Sequence, residues 1–137
     1  MSTLILFDNE AVQALGDPNH PKHRRVLSHV EVVAQRRRRA VPVTLAVPTT
    51  VRVEAGWDGM DRRWALANHL RITDEPLGPA QANVAAGIRS RTGVSVTDAH
   101  LGAVIRATSV TNITVLTSDT KDVRAVAGAR AVKVIAV

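Results

Sequence analysis

The chain has 137 residues, enough for one domain with a core of ordinary size, and 45% of them are hydrophobic, which excludes a disordered polymer. Cysteine is absent, which rules out a disulfide framework or a thiolate metal site and suits a reducing compartment. The net charge of +6 points to a polyanionic partner, yet aromatics at 2% leave only Phe7, Trp57 and Trp64 for base stacking, so nucleic acid would be held mainly by Arg and Lys on phosphates.

The apolar run Leu4-Ile5-Leu6-Phe7 reads as a first strand buried on both faces. It is too short for a signal peptide and lacks a basic flank. No apolar stretch approaches the roughly 20 residues that span a bilayer, so a soluble, cytoplasmic protein without membrane contact is expected. A helix over residues 9–15 stops at Gly16-Asp17-Pro18. A longer helix over residues 21–39 carries Val26, Val30 and Val33 as its apolar stripe. Residues 40–47 form the second strand, and Pro48 suits the first position of a helix that runs to residue 55 and ends at Gly56. The pattern then predicts a helix over residues 60–70, a short third strand over 70–73, and a helix over 79–91 closed by Thr92-Gly93. Residues 98–108 are helical, 113–116 the fourth strand, 120–127 a helix and 131–135 the fifth strand. Strands alternating with helices predict right-handed βαβ units: a single α/β domain over residues 1–137, a mostly parallel sheet of about five strands with helices on both faces.

Ligands of such sheets bind at the carboxyl edge, near the point where strand order reverses. Asp8 follows the first strand and Asp119 the fourth. Glu54 lies in the helix after the second strand, and Asp98 stands after the loop Gly93-Val94-Ser95-Val96-Thr97. Three or four carboxylates in one pocket repel one another unless a cation joins them. Hard cations such as Mg²⁺ and Mn²⁺ prefer such oxygens, and the set then suits phosphodiester hydrolysis. Helix capping is the competing explanation for Asp98 and Asp119, and Asp8 or Asn9 could cap the first helix. Glu54 could simply face solvent.

The ordered set of strand-Asp8, Pro48-Thr49-Thr50 leading to Glu54, Thr97-Asp98-Ala99 and Leu116-Thr117-Ser118-Asp119 resembles the PIN-domain nucleases, and in size and spacing the VapC-type toxins of bacterial toxin–antitoxin modules. The resemblance covers essentially the whole chain. It implies a three-layer α/β/α sandwich with an acidic pocket at the carboxyl edge, and Mg²⁺- or Mn²⁺-dependent endoribonuclease activity. It makes Asp8, Glu54, Asp98 and Asp119 the acidic set, with Asp8, Asp98 and Asp119 as metal ligands. It also implies support from Thr117, an auxiliary role for Asp122, a homodimer, and an inhibitory antitoxin. Asn9 stands where the family usually has Thr or Ser, and Glu10 adds a negative charge expected at the pocket rim.

Arg36-Arg37-Arg38-Arg39 closes the long helix, where cations complement the macrodipole; its functional reading is an RNA backbone patch. His20, His23 and His29 read as polar helix positions, not metal ligands. The glycine patterns of nucleotide-binding loops and the Gly-x-Ser-x-Gly elbow are both missing from the sequence. Two alternatives stay open. One is a nucleic-acid-binding module of the same fold without turnover. The other is a phosphoryl-transfer or receiver-like domain with Asp8 as nucleophile, although Asp8-Asn9-Glu10 lacks the Asp-x-Asp such phosphatases use. Metal should raise the melting temperature of a formed site, and Asp8→Asn is expected to stabilise the metal-free chain by reducing repulsion.

Overall fold

The computed structural model describes residues 2–40 and 42–137. Five parallel strands, β1 (Thr3–Phe7), β2 (Val43–Pro48), β3 (Thr73–Glu75), β4 (Asn112–Thr117) and β5 (Lys133–Ala136), form one sheet in the order β3-β2-β1-β4-β5. β1 is central because its residues pack on both sides. Ile5 and Phe7 face one layer, built by α1 (Asn9–Gly16), α2 (His23–Arg38) and α3 (Thr49–Ala55) with Trp57 and Trp64. Leu4 and Leu6 face the other, against α6 (Val96–Ala107) and α7 (Thr120–Ala127). α5 (Pro79–Thr92) packs outside α6 through Ile88, Ala99 and Ala103. The result is the expected three-layer α/β/α sandwich around a parallel sheet.

The chain leaves β1 toward β2 on one side, and β4 lies on the other, so the order reverses between β1 and β4. That reversal opens a crevice at the carboxyl ends of the strands. Phe7 pairs with Leu116 there, which brings the residues after both strands side by side.

Several boundaries differ from those the sequence predicts. Of the expected second strand, residue 41 lies outside the described residues, and β2 begins at Val43. Pro48 ends β2 and occupies the cap position of α3 instead of its first turn. The helix expected over residues 60–70 is a 3₁₀ turn (Arg62–Trp64) running into a short α4 (Ala65–His69). Asp58 accepts the Met60 N–H and Asp61 the Arg63 N–H, and these local bonds divert the backbone from an earlier helical start. β3 lies at Thr73–Glu75, after Arg71 adopts a positive φ of 55° that breaks the chain direction.

Candidate active site at the carboxyl edge of the sheet

The Asp8 N–H donates to the Leu116 carbonyl at 3.1 Å, which continues the β1–β4 ladder one step beyond the strands. The Asp8 side chain is buried and both its oxygens are engaged. Oδ1 accepts the Ala11 N–H at 2.9 Å, so Asp8 caps α1. Oδ2 accepts the Thr117 hydroxyl and the Ser118 N–H, the latter at 3.2 Å. The Thr117 oxygen in turn accepts the Asp119 N–H at 2.9 Å. Thr117 thus holds the ends of β1 and α7 in one arrangement.

Asp119 caps α7 itself, its Oδ1 accepting the Asp122 N–H at 3.1 Å. Asp98 is the opposite case. Ser95 caps α6, its hydroxyl oxygen accepting the Asp98 N–H at 3.1 Å, and the helix begins at Val96, two residues before Asp98. Capping therefore does not explain the Asp98 carboxylate.

Electrostatics ties the acids together. The Asp98 carboxyl holds its proton above the ordinary aspartate value, first because it is partly buried, then because Asp8, Asp119 and Glu54 repel its charge; only the Ser95 hydroxyl opposes this. Burial also raises Asp8, against the bonds from Thr117, Ala11 and Ser118. Asp122 is raised chiefly by its side-chain contact with Asp119, with the charges of Asp119 and Asp98 adding to it. Glu54 is exposed on α3 and reaches this field from across the crevice.

Other expected residues lie elsewhere. The Asn9 side-chain oxygen accepts from Gln13 at 3.2 Å along α1. Glu10 does not stand free at the rim but pairs with His20 at 3.2 Å and Lys22 at 3.4 Å. His23 bonds the Ala14 carbonyl. Arg36, Arg37, Arg38 and Arg39 lie beside the start of β2, at the opposite edge of the sheet.

One pair went unread in the sequence. Thr50 on α3 sits 2.7 Å from Nδ1 of the fully buried His100 on α6. It clasps the helix carrying Glu54 to the helix carrying Asp98. Burial lowers the His100 pKa against the pull of the Pro76 backbone, and the buried Nε2 has no hydrogen-bond partner among the described residues. The only signal for it was a histidine on the apolar face of a helix.

The donor set fits a hard divalent cation in kind: carboxylate oxygens whose mutual repulsion a cation would relieve. Among the described residues no three His, Asp or Glu side chains are drawn together into a ready-made cage. Mg²⁺ tolerates that, because it keeps several waters and needs few direct protein ligands.

No protein-family model and no curated protein matches the sequence. Solved structures do match its fold. The crystal structure of VapBC2 from Rickettsia felis bound to a DNA fragment from their promoter aligns over 97% of this chain and 99% of that one, with TM-score 0.59 and 13% identity. FitAcB from Neisseria gonorrhoeae aligns over 94% and 96%, with TM-score 0.54 and 19% identity. FitAB bound to an IR36 DNA fragment aligns over 95% and 94%, with TM-score 0.55 and 18% identity. The chain has a PIN-type fold of the VapC kind. No helix among the described residues is long and apolar enough to cross a membrane.

Proposed function

We propose that the chain is a Mg²⁺- or Mn²⁺-dependent endoribonuclease and the toxin of a toxin–antitoxin pair. The observation that carries this reading is the Asp98 carboxyl at the switch-point crevice of a parallel sheet, raised first by burial and then by the charges of Asp8, Asp119 and Glu54. Capping leaves it unexplained. A net charge of +6 suits a polyanionic substrate. The pairing with an antitoxin is supported by the fold shared with VapBC2 and FitAB, which are toxin–antitoxin complexes.

A bound divalent cation would polarise a phosphate oxygen and lower the pKa of a bound water. Asp8, Asp98 and Asp119 are the ligand set. Thr117 fixes the first and third of them through one hydroxyl. Glu54, exposed and within the field of Asp98, would orient the attacking water and take its proton. Asp122 is an auxiliary acid that holds its proton more tightly than a free aspartate. Val53, 82% exposed, and Val96 flank a cleft of about 430 Å³ beside Glu54, an apolar surface suited to the second copy of a homodimer. With Mn²⁺ present, Asp98→Asn and Asp8→Asn are expected to cut a single-stranded RNA oligonucleotide about 100-fold or more slower than the parent. Equal rates for parent and both variants would end this reading.

Asp8-Asn9-Glu10 lacks the second aspartate of an Asp-x-Asp phosphatase, which counts against a phosphorylated nucleophile at Asp8. The binding module without turnover draws on two observations: no three acids meet in a cage among the described residues, and Asn9 turns away along α1. Chelator-insensitive RNA binding, with no cleavage at any Mg²⁺ or Mn²⁺ concentration, would select it.

A further inference from the structure

A second charged concavity occupies the opposite edge of the sheet. A cleft of about 470 Å³ opens where β1, β4 and β5 begin, lined by Thr3, Asn112, Thr114 and Lys133 and by Arg36 from the last turn of α2. Arg36 and Lys133 are both exposed, and Arg37, Arg38 and Arg39 continue the cationic run from Arg36. Arg37 is tied down, donating to the Val43 carbonyl at 3.3 Å. Among the described residues the ion pairs are Glu10 with His20 and Lys22, and Arg52 with Asp74, so none neutralises Arg36 or Lys133. His29 on α2 reports the same field: its pKa is lowered by burial first, then by the positive charges of Arg25 and Lys133.

No aromatic ring lines the cleft, so it offers cations and hydroxyls but no stacking platform. That chemistry recognises phosphodiesters without regard to sequence. Thr3 and Asp8 are five strand steps apart, roughly 17 Å at about 3.3 Å per residue. A nucleic acid touching both edges must turn around the domain within a few nucleotides. A duplex, with a persistence length of about 150 bp, is too stiff for that turn, whereas a single strand can make it. We propose that this cleft is an exosite that grips the backbone of a single-stranded RNA outside the cut, with Arg36 and Lys133 on successive phosphates and Arg38 and Arg39 extending the track. The identity of the strand rests on the nuclease reading; the phosphate chemistry does not.

The test measures anisotropy of labelled RNA, in chelator to prevent cleavage, with the Asp98→Asn chain and with the same chain carrying Arg36→Gln and Lys133→Gln. For a 20-nucleotide RNA at 0.1 M salt, the double removal is expected to weaken binding roughly tenfold or more, and to flatten the slope of log K against log salt by about 1.4, near 0.7 per lost phosphate contact. A dinucleotide, whose single phosphodiester can neither meet both cations nor span both edges, should lose much less affinity than the long RNA. Lys133→Arg should keep the parent affinity, and melting temperatures should stay within about 1 °C, as for exposed substitutions. Unchanged affinity and slope for the long RNA would overturn the exosite, as would equal losses for short and long RNA, or a larger loss for a 20-bp duplex DNA. The two readings fail separately. A parent that cuts RNA while the Gln variants behave like it retains the nuclease and loses the exosite. A parent that cuts nothing yet shows the predicted loss of long-RNA binding retains the exosite alone.

Discussion

At the scale of single residues, Asp8 and Asp98 are both raised acids with different obligations. For Asp98 the sign is simple. Its folded carboxyl binds a proton more tightly than in the unfolded chain, where the ordinary value is 3.8. Stability is therefore fullest below 3.8 and falls as pH rises through the elevated value. Asp98→Asn removes that loss, and its amide oxygen can still take the Ser95 hydroxyl. In chelator at pH 7 the variant is expected to melt roughly 1–3 °C above the parent, with the difference gone at pH 3.5. A lower melting point at pH 7 would show that the repulsion is not felt in solution. For Asp8→Asn the relief of repulsion is opposed by the hydrogen bonds that its carboxylate accepts. An amide nitrogen replacing Oδ2 would set a donor against the Ser118 N–H and forfeit a bond worth about 1 kcal/mol. The four acids were legible in the sequence as strand and helix ends. That Asp8 caps and Asp98 does not was illegible, because Ser95 and Asp98 are equally good cap types and only the chain path chooses between them.

Among the elements, α6 matters most, since it carries Asp98 and His100 and lies between α5 and α7. It can do so only because Gly102 is bare. A Cβ there would stand 2.7 Å from the Val126 Cβ and 2.9 Å from the Val126 carbonyl oxygen on α7, and 3.0 Å from Ile88 on α5. Gly102→Ala gains up to about 1 kcal/mol of helix propensity and forces overpacking that costs about 1–3 kcal/mol. It is expected to lower the melting temperature by several degrees. Gly87→Ala on α5 meets only the mobile end of Arg91, at 3.3 Å, and should raise it. Opposite signs for the two substitutions, read by calorimetry, distinguish close helix packing from propensity alone. A stabilised Gly102→Ala would refute the packing. Most elements were legible from apolar runs and Gly or Pro stops. The segment from Asp58 to His69 was not. Its apolar spacing suits a helix, but side-chain bonds from Asp58 and Asp61 to nearby N–H groups compete with one, and periodicity does not register them.

For the whole molecule, the sheet separates charge. Acids gather where the strands end, and Arg36, in the last turn of α2, and Lys133, at the start of β5, stand at the other edge, so a net +6 describes neither edge. Composition reported the sum; which edge holds which sign depends on strand order, which the sequence leaves open. The separation makes the effect of metal specific. A cation that binds only the folded chain stabilises it by RT ln(1 + [L]/Kd), about 2.7 kcal/mol at 100 Kd. For a chain this size that is a rise of roughly 5–10 °C. Such a rise is expected with Mn²⁺ at pH 7.5. It should shrink toward pH 5, because Asp8, Asp98 and Asp122 are all shifted toward the protonated form and protons compete for the same oxygens. Asp98→Asn should abolish most of it, while Arg36→Gln with Lys133→Gln should leave it intact, since those cations line the cleft where β1, β4 and β5 begin, at the other edge of the sheet. A rise that the Asp98 variant retains in full would place the cation elsewhere on the surface. No rise at any pH would mean that the four acids share a field without forming a site.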